Sequence, residues 1–292
     1  MTAAAATGSG SAALRVPEVD VLIPTKDRPL ELAVTLAGLA AQTGGPRIRV
    51  VVSDQSDGEA SFDTASTATL VRALRYRGVD VELLRHLPRR GIIEQRAFLL
   101  ERATAPAVLF LDDDVWLEPG VLARLHRALG ELGCGLVAAA MQGLSHVEDR
   151  RPGECAPFEP WDGPVVPETI VKDGPAWSRW TLHNAANGVH LAQDAGLDAP
   201  GGPVPPSGRY VAYRIAWAAG CVLFDRAALV DAGGFDFWRE VPEDAHGEDV
   251  LSQQRVMARR GAAGVLPSGA YHQESGTTIP DRGASAVDLR PV

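Results

Sequence analysis

Asp112, Asp113 and Asp114 stand in a row directly after the apolar run AVLFL. Three adjacent carboxylates at the mouth of a buried strand repel one another, and burying even one unpaired is costly, so the cluster calls for a cation. In an extended chain Asp112 and Asp114 project to the same side and could reach one ion, with Asp113 pointing elsewhere. Hard oxygen ligands with vacant positions suit Mg2+ or Mn2+ bridging phosphate oxygens. Capping of the helix expected from about Pro119 by Asp114 or Glu118 accounts for one carboxylate, not for three.

The elements that must carry this cluster follow from hydrophobic periodicity. VDVLIPT (19–25), RIRVVVSD (47–54), VDVELLRH (79–86), AVLFLDDD (107–114) and LVAAAMQ (136–142) read as strands, near-continuously apolar rather than alternating. Between them Leu32, Leu36 and Leu39, then Ile93, Ala97 and Leu100, then Leu122, Leu125, Leu129 and Leu132 mark helical faces, and a further helix is expected within 62–77. This alternation predicts an α/β fold with a mostly parallel sheet covered on both faces. Ligands of such sheets sit outside the C-terminal strand ends, and three of those ends are polar and mostly acidic: Thr25-Lys26-Asp27, Ser53-Asp54 and Asp112-Asp113-Asp114.

Residues 145 to about 209 differ in texture, with Pro and Gly crowding around Trp161, Trp177 and Trp180. A long stretch without regular pattern inside a compact protein is usually functional or disordered, and the tryptophans favour the first. From Tyr210, YRIAWAAGCVLFDR reads as strand material, RAALVDAGGFD as a short helix, GEDVLSQQRVMARRG as a helix with a poor apolar stripe, and GVLP (264–267) as a last strand leading into Tyr271-His272. Residues 1–17 read as a flexible tail, 18–144 and 145–275 as two halves of one domain, and 276–292 as a loose tail.

The 292 residues carry 28 Lys and Arg against 37 Asp and Glu, a formal net charge of −9. That balance argues against a nucleic-acid polymer or a membrane surface as partner, while one phosphate ligand bridged by a metal is compatible with it. No apolar run approaches a membrane span of about 20 residues, and the first residues lack the basic and apolar regions of a signal peptide. Cys134, Cys155 and Cys221 are widely spaced without a CxxC pair, which fits buried thiols in a reducing cytoplasm.

LFLDDDVWLEPG resembles the DxD segment of GT-A glycosyltransferases, the family 2 group in particular. VLIPTKDRP, VVSDQSDG, GIIEQRAFLLERA, and AGCVLFDRAALVDAGGFD followed by GEDVLSQQR resemble further segments of that family, in the family's order. The resemblance spans roughly residues 19–275 and implies a GT-A sheet with a C-terminal acceptor-binding portion. It implies a nucleotide-diphosphate sugar donor, UDP-linked by preference, a hydroxyl-bearing small-molecule or glycan acceptor, and Mn2+ or Mg2+. By the same resemblance, Pro24, Thr25, Asp27 and Asp54 line the nucleotide, with Asp54 accepting a base N–H; a turn-forming role is the alternative for Asp54. Arg96 lies near the diphosphate or sugar, although Glu-Gln-Arg stands where the family often has Ala-Arg-Asn. Asp113 faces the ribose, and Asp112 and Asp114 hold the metal with His272, whose neutral imidazole suits Mn2+. Asp249 is the base that takes the acceptor's proton in an inverting displacement, and Glu248 orients the acceptor; helix-dipole pairing is the alternative for both.

Trp177, Trp180 and Trp238 are acceptor candidates, because aromatic faces stack on sugar C–H surfaces. Trp217, inside an apolar run, reads as core, and His183 and His190 as surface or acceptor-loop residues. The QxxRW motif of the family's processive synthases has its nearest match at Gln253-Gln254-Arg255-Val256-Met257, which has no Trp, and with no membrane span either, single addition is favoured. Two other functions are compatible with such a sheet: sugar-phosphate nucleotidyl transfer, whose glycine-rich first loop LIPTKDRP lacks, and an inactive nucleotide- or glycan-binding module.

Overall fold

The computed structural model describes residues 16–197, 209–277 and 284–290; the flexible tail expected over 1–17 falls almost wholly outside them. The order is β1 (Val19–Thr25), α1 (Pro29–Ala40), β2 (Ile48–Asp54), α2 (Ala65–Tyr76), β3 (Asp80–Arg85), α3 (Gly91–Glu101), β4 (Ala107–Leu111), β5 (Val115–Leu117), α4 (Val121–Leu132), β6 (Leu136–Ala138) and β7 (Gln142–Gly143). There follow α5 (Pro152–Cys155), α6 (Asn187–Asp194), β8 (Val211–Tyr213), β9 (Cys221–Asp225), α7 (Arg226–Asp231), α8 (Glu248–Arg260), β10 (Ala262–Leu266), β11 (Ala270–His272) and α9 (Ala286–Leu289).

The main sheet runs β3-β2-β1-β4-β9-β6-β10-β8. It is mostly parallel, as expected, with β9 antiparallel to both neighbours and β8 antiparallel to β10. Successive residues of a strand face opposite sides. Val21, Ile23, Val50, Val52 and Leu109 accordingly join Leu32, Leu36, Leu74 and Leu125 in one core, while Leu22, Val51, Val108 and Phe110 join Leu99, Leu229, Leu251 and Val256 in a second. Burial on both faces is why these strands read as unbroken apolar runs. Asp20 is the exception inside β1. Its buried carboxylate accepts from Arg49 Nε at 2.9 Å and from the backbone N–H groups of Thr104 and Ala105 at 2.6 and 2.8 Å, tying β2 and the entry to β4 onto β1.

Two expected strands are shorter than their apolar runs. In LVAAAMQ only Leu136–Ala138 joins the main sheet, and Gln142–Gly143 pairs instead in a small sheet, β5-β11-β7. In YRIAWAAGCVLFDR, residues 214–220 leave the sheet. There the Gln253 side chain donates to the Ala218 carbonyl at 2.7 Å and accepts from its N–H at 2.8 Å, so a glutamine of α8 substitutes for a neighbouring strand.

Helix α8 is more buried than its poor stripe implied, because Ser252, Gln253 and Gln254 are inside with Val250, Leu251, Val256 and Met257. The stretch expected to be irregular over 145–209 holds, among its described residues, α5, α6 and 3-10 turns over Leu144–His146 and Pro175–His183. Residues 284–290 correct the expected loose tail. Ala284 and Ala286 exchange backbone hydrogen bonds with His246, and Ala286 and Val287 are buried against the protein. Among the described residues no helix is long and apolar enough to cross a membrane.

Candidate active site

A cleft of about 800 Å3 opens at the C-terminal ends of β1 and β4. Its walls include Pro24, Thr25, Lys26 and Arg28 after β1, Gln95 and Arg96 of α3, Asp112–Asp114 after β4, Glu248 and Asp249 at the start of α8, and His272 of β11. Trp177 and Trp217 line it as well. The parallel pairing of β1 with β4 puts Thr25 beside the acidic turn, where its hydroxyl donates to Asp113 at 2.6 Å. Thr35 of α1 fixes that turn from behind, donating to the Asp113 carbonyl at 2.7 Å and accepting from the Val115 N–H at 3.2 Å.

The three carboxylates do not alternate as in an extended chain, because the backbone turns at Asp113 and Asp114 between β4 and β5. Asp112 meets Arg96 Nη2 at 2.7 Å. Asp113 and Asp114 share Arg28, whose Nη1 lies 3.0 Å from one and 2.6 Å from the other. Asp114 also lies 3.2 Å from His272 Nε2. Asp112, Asp114 and His272 therefore face one cleft, yet among the described residues no three His, Cys, Asp or Glu side chains converge tightly enough to hold a metal ion unaided. The donor set of a carboxylate beside an imidazole does fit Mn2+, with phosphate oxygens as further ligands. Asp114 and His272 are the residues that would hold it, with Asp112 at the same wall.

Burial pushes Asp113 up to about 7; the Asp114 charge adds to this, while the Thr25 hydroxyl and Arg28 oppose it. Burial would raise Asp114 too, but His272 and Arg28 outweigh it and hold the carboxyl below its usual range. The hydrogen bond to Asp114 in turn raises His272 against the effect of its own burial.

Arg96 connects this turn to α8. Its Nε donates to Glu248 at 2.9 Å while Nη2 holds Asp112. Burial works against the Arg96 charge, but Asp112, Glu248 and Asp249 more than compensate and raise its pKa. Asp249 points into the cleft from the first turn of α8. Burial first, and then the Glu248 charge, push it up to about 7 against the pull of Arg96.

Helix α3 can lie this close to the approach to α8 because it begins with Gly91. Its φ is +86°, and a Cβ there would sit 1.9 Å from the Glu243 carbonyl oxygen. Gly91→Ala is expected to cost about 2 kcal/mol or more, through left-handed strain plus that clash. Denaturant unfolding measures it, and donor turnover should fall with it because Arg96 rides on the same helix.

Several expected site residues sit elsewhere. Asp27 turns outward to Lys26, 2.6 Å away, and lies off the cleft wall, with φ +55° placing the next residue, Arg28, inward. Asp54 is fully buried and bound to its own loop, accepting from the Ser56 and Ser61 N–H groups at 2.7 and 2.6 Å and from the Ser56 hydroxyl at 3.1 Å. The turn-forming alternative is what the structure displays, and Gln55 takes the place on the wall. Trp180 is exposed and Trp238 packs under Arg239, both away from the cleft, whereas Trp217 lines it. His183 and His190 are interior rather than surface residues. His183 meets the Tyr213 hydroxyl at 2.9 Å and is lowered by burial to about 4, and His190 meets the Val147 carbonyl at 2.8 Å.

Arg28, Gln55, Gln95 and Thr35 were not singled out by sequence. Gln95 donates to the Ser53 carbonyl at 2.7 Å and the Thr25 carbonyl at 3.2 Å, locking the ends of β1 and β2 together. Position offered the one usable signal, since Arg28 immediately follows Thr25-Lys26-Asp27.

A mostly parallel sheet with an acidic turn after β4, and a cleft running from that turn to the start of α8, define the GT-A fold. Residues 20–155 match the profile described as "Glycosyl transferase family 2". The structure of Staphylococcus aureus TarS 1-349 superimposes with a TM-score of 0.50 at 16% identity, covering 85% of this chain and 57% of that one. The same S. aureus protein in complex with UDP-GlcNAc gives a TM-score of 0.51 at 17% identity, covering 90% of this chain and 60% of that one. The chain thus spans less than two thirds of these structures, and the likeness is one of fold. No curated protein matches the sequence. Over residues 20–155 the chain is thus similar to family 2 glycosyltransferases, on a fold of the GT-A kind.

Proposed function

We propose that this chain moves one sugar from a nucleotide-diphosphate donor, UDP-linked, to an acceptor hydroxyl with inversion and with the help of Mn2+ or Mg2+. The observation that carries this reading is that Asp249, raised to about 7, opens onto the same cleft as Asp112–Asp114. A base poised near neutral pH can accept the acceptor's proton as the oxygen attacks. TarS, whose complex with UDP-GlcNAc has this fold, supports a UDP donor.

Pro24, Thr25 and Gln55 bound the nucleotide end, and Asp113 stands beside Thr25 on the ribose side. A metal bound by Asp114 and His272 would neutralise the departing diphosphate. Glu248, held by Arg96, fixes the first turn of α8 and so aims Asp249. Trp177 and Trp217, which line the same cleft, offer aromatic faces to the acceptor. Arg255 lies over the Phe237 ring at 5.1 Å and Gln253 is committed to Ala218, so the segment that aligns with QxxRW serves packing, in keeping with single addition.

Transfer assayed over a panel of nucleotide sugars tests the reading. EDTA and Asp114→Ala are each expected to reduce turnover by about 10²-fold or more, on the scale of losing a group that stabilises leaving-group charge. Turnover indifferent to both would sink the metal role, and NMR of the product's anomeric linkage would decide inversion.

A further inference from the structure

We propose that Arg28 is an internal countercation, which a divalent metal displaces from Asp114 and which then engages the donor's diphosphate. The proposal rests on the metal-dependent donor reading above.

Arg28 Nη1 lies 2.6 Å from Asp114 Oδ2, the same oxygen that lies 3.2 Å from His272 Nε2. An ion held between Asp114 and His272 would need the oxygen that Arg28 already occupies, and two cations on one oxygen repel. The guanidinium also meets Asp113 Oδ1 at 3.0 Å and donates from Nη2 to the Gly276 carbonyl. Its side chain is 12% exposed, so the pairing is screened only partly by solvent.

The Arg28 backbone is anchored independently, its N–H donating to the Ser61 hydroxyl at 3.2 Å and its carbonyl accepting from the Leu32 N–H at 3.0 Å at the start of α1. The side chain can therefore change partners without moving β1 or α1. Released from the carboxylates, it remains on the cleft wall next to Asp114 and His272, where a diphosphate drawn in by the metal would lie. A planar guanidinium suits bidentate contact with phosphate oxygens. Arg28 thereby couples the two ligands: metal binds weakly until a diphosphate is present to take the arginine, and the diphosphate gains a second positive partner only once metal has freed it.

The test is Mn2+ binding to the full chain, read by electron paramagnetic resonance of free Mn2+, with and without UDP. Arg28→Ala is expected to bind Mn2+ alone about tenfold more tightly than the parent, and UDP at saturating Mn2+ about tenfold more weakly, the scale of one charge-assisted contact. Arg28→Lys, which keeps the charge but loses the planar fork and the Nη2 contact to the Gly276 carbonyl, should fall between and applies the same criterion if the alanine variant fails to fold. Unchanged or weaker Mn2+ binding in a folded variant would overturn the proposal. Asp114→Ala separates the two ideas. If it abolishes Mn2+ binding while Arg28→Ala does not tighten it, only the role of Arg28 fails; if it leaves Mn2+ binding intact, the metal reading fails and takes this one with it.

Discussion

Asp249→Asn is expected to cut sugar transfer by about 10²–10⁴-fold, the usual worth of a positioned general base, while leaving donor binding in place. Asparagine keeps the shape and can still occupy the first turn of α8, so the loss would be chemical. Activity of the parent should rise with pH through about 7, because only the ionised carboxylate accepts a proton. The same substitution should raise the melting temperature at neutral pH. The folded pKa of Asp249 lies above its usual 3.8, so burying it is easiest below that value, and stability drains away as pH climbs from about 4 through about 7. An amide has no charge to desolvate. Transfer within tenfold of the parent would remove Asp249 from the chemistry, and a lower melting temperature at pH 8 would show that its ionised form is welcome in the fold.

The second large effect belongs to Arg96. Arg96→Met keeps much of the length and volume but leaves Glu248 buried without its partner and Asp112 beside the cleft without its own. Removing one side of a buried ion pair strands the other charge, and a loss of about 3 kcal/mol is expected by denaturant unfolding. Arg96→Lys should recover little, because a single ammonium cannot reach both carboxylates in the geometry of a guanidinium. A double variant with Glu248→Gln should be more stable than the sum of the two single changes implies, since it removes the stranded charge. Arg96 also pulls the Asp249 pKa down, so the rising limb of any residual activity should shift to higher pH. Additive stabilities and an unmoved limb would reduce Arg96 to packing.

The elements on the donor side were legible because their physics is local. Strands buried on both faces read as apolar runs, and β1 appears over Val19–Thr25 as expected. Leu32, Leu36 and Leu39 mark α1, and all three are buried. What escaped depends on partners distant in sequence. Whether Asp54 faces a ligand or its own loop is decided by Ser56 and Ser61, and the direction of Asp27 by a positive φ. Periodicity registers neither. The break in the strand before Cys221 comes from Gln253, and α8 looked too polar to be buried because its glutamines are satisfied inside. The site followed the same rule. The acidic run and the Glu-Asp pair announce themselves by type, whereas Arg28 and Gln95 matter through groups 85 and 42 positions away.

The clamp of Gln253 on Ala218 has a consequence for how this protein could be altered. The loop bearing Trp217 takes its backbone pairing from α8, and α8 carries Asp249 at its start. Trp217 and Asp249 therefore sit on one mechanical unit, and any shift of the helix carries both along. A change of acceptor would then come most cheaply from replacing side chains that line the cleft, Trp177, Trp217 or Val287, with the loop backbone untouched. Insertions or deletions between Tyr213 and Cys221 would instead break the Gln253 contact and misplace Asp249 together with Trp217.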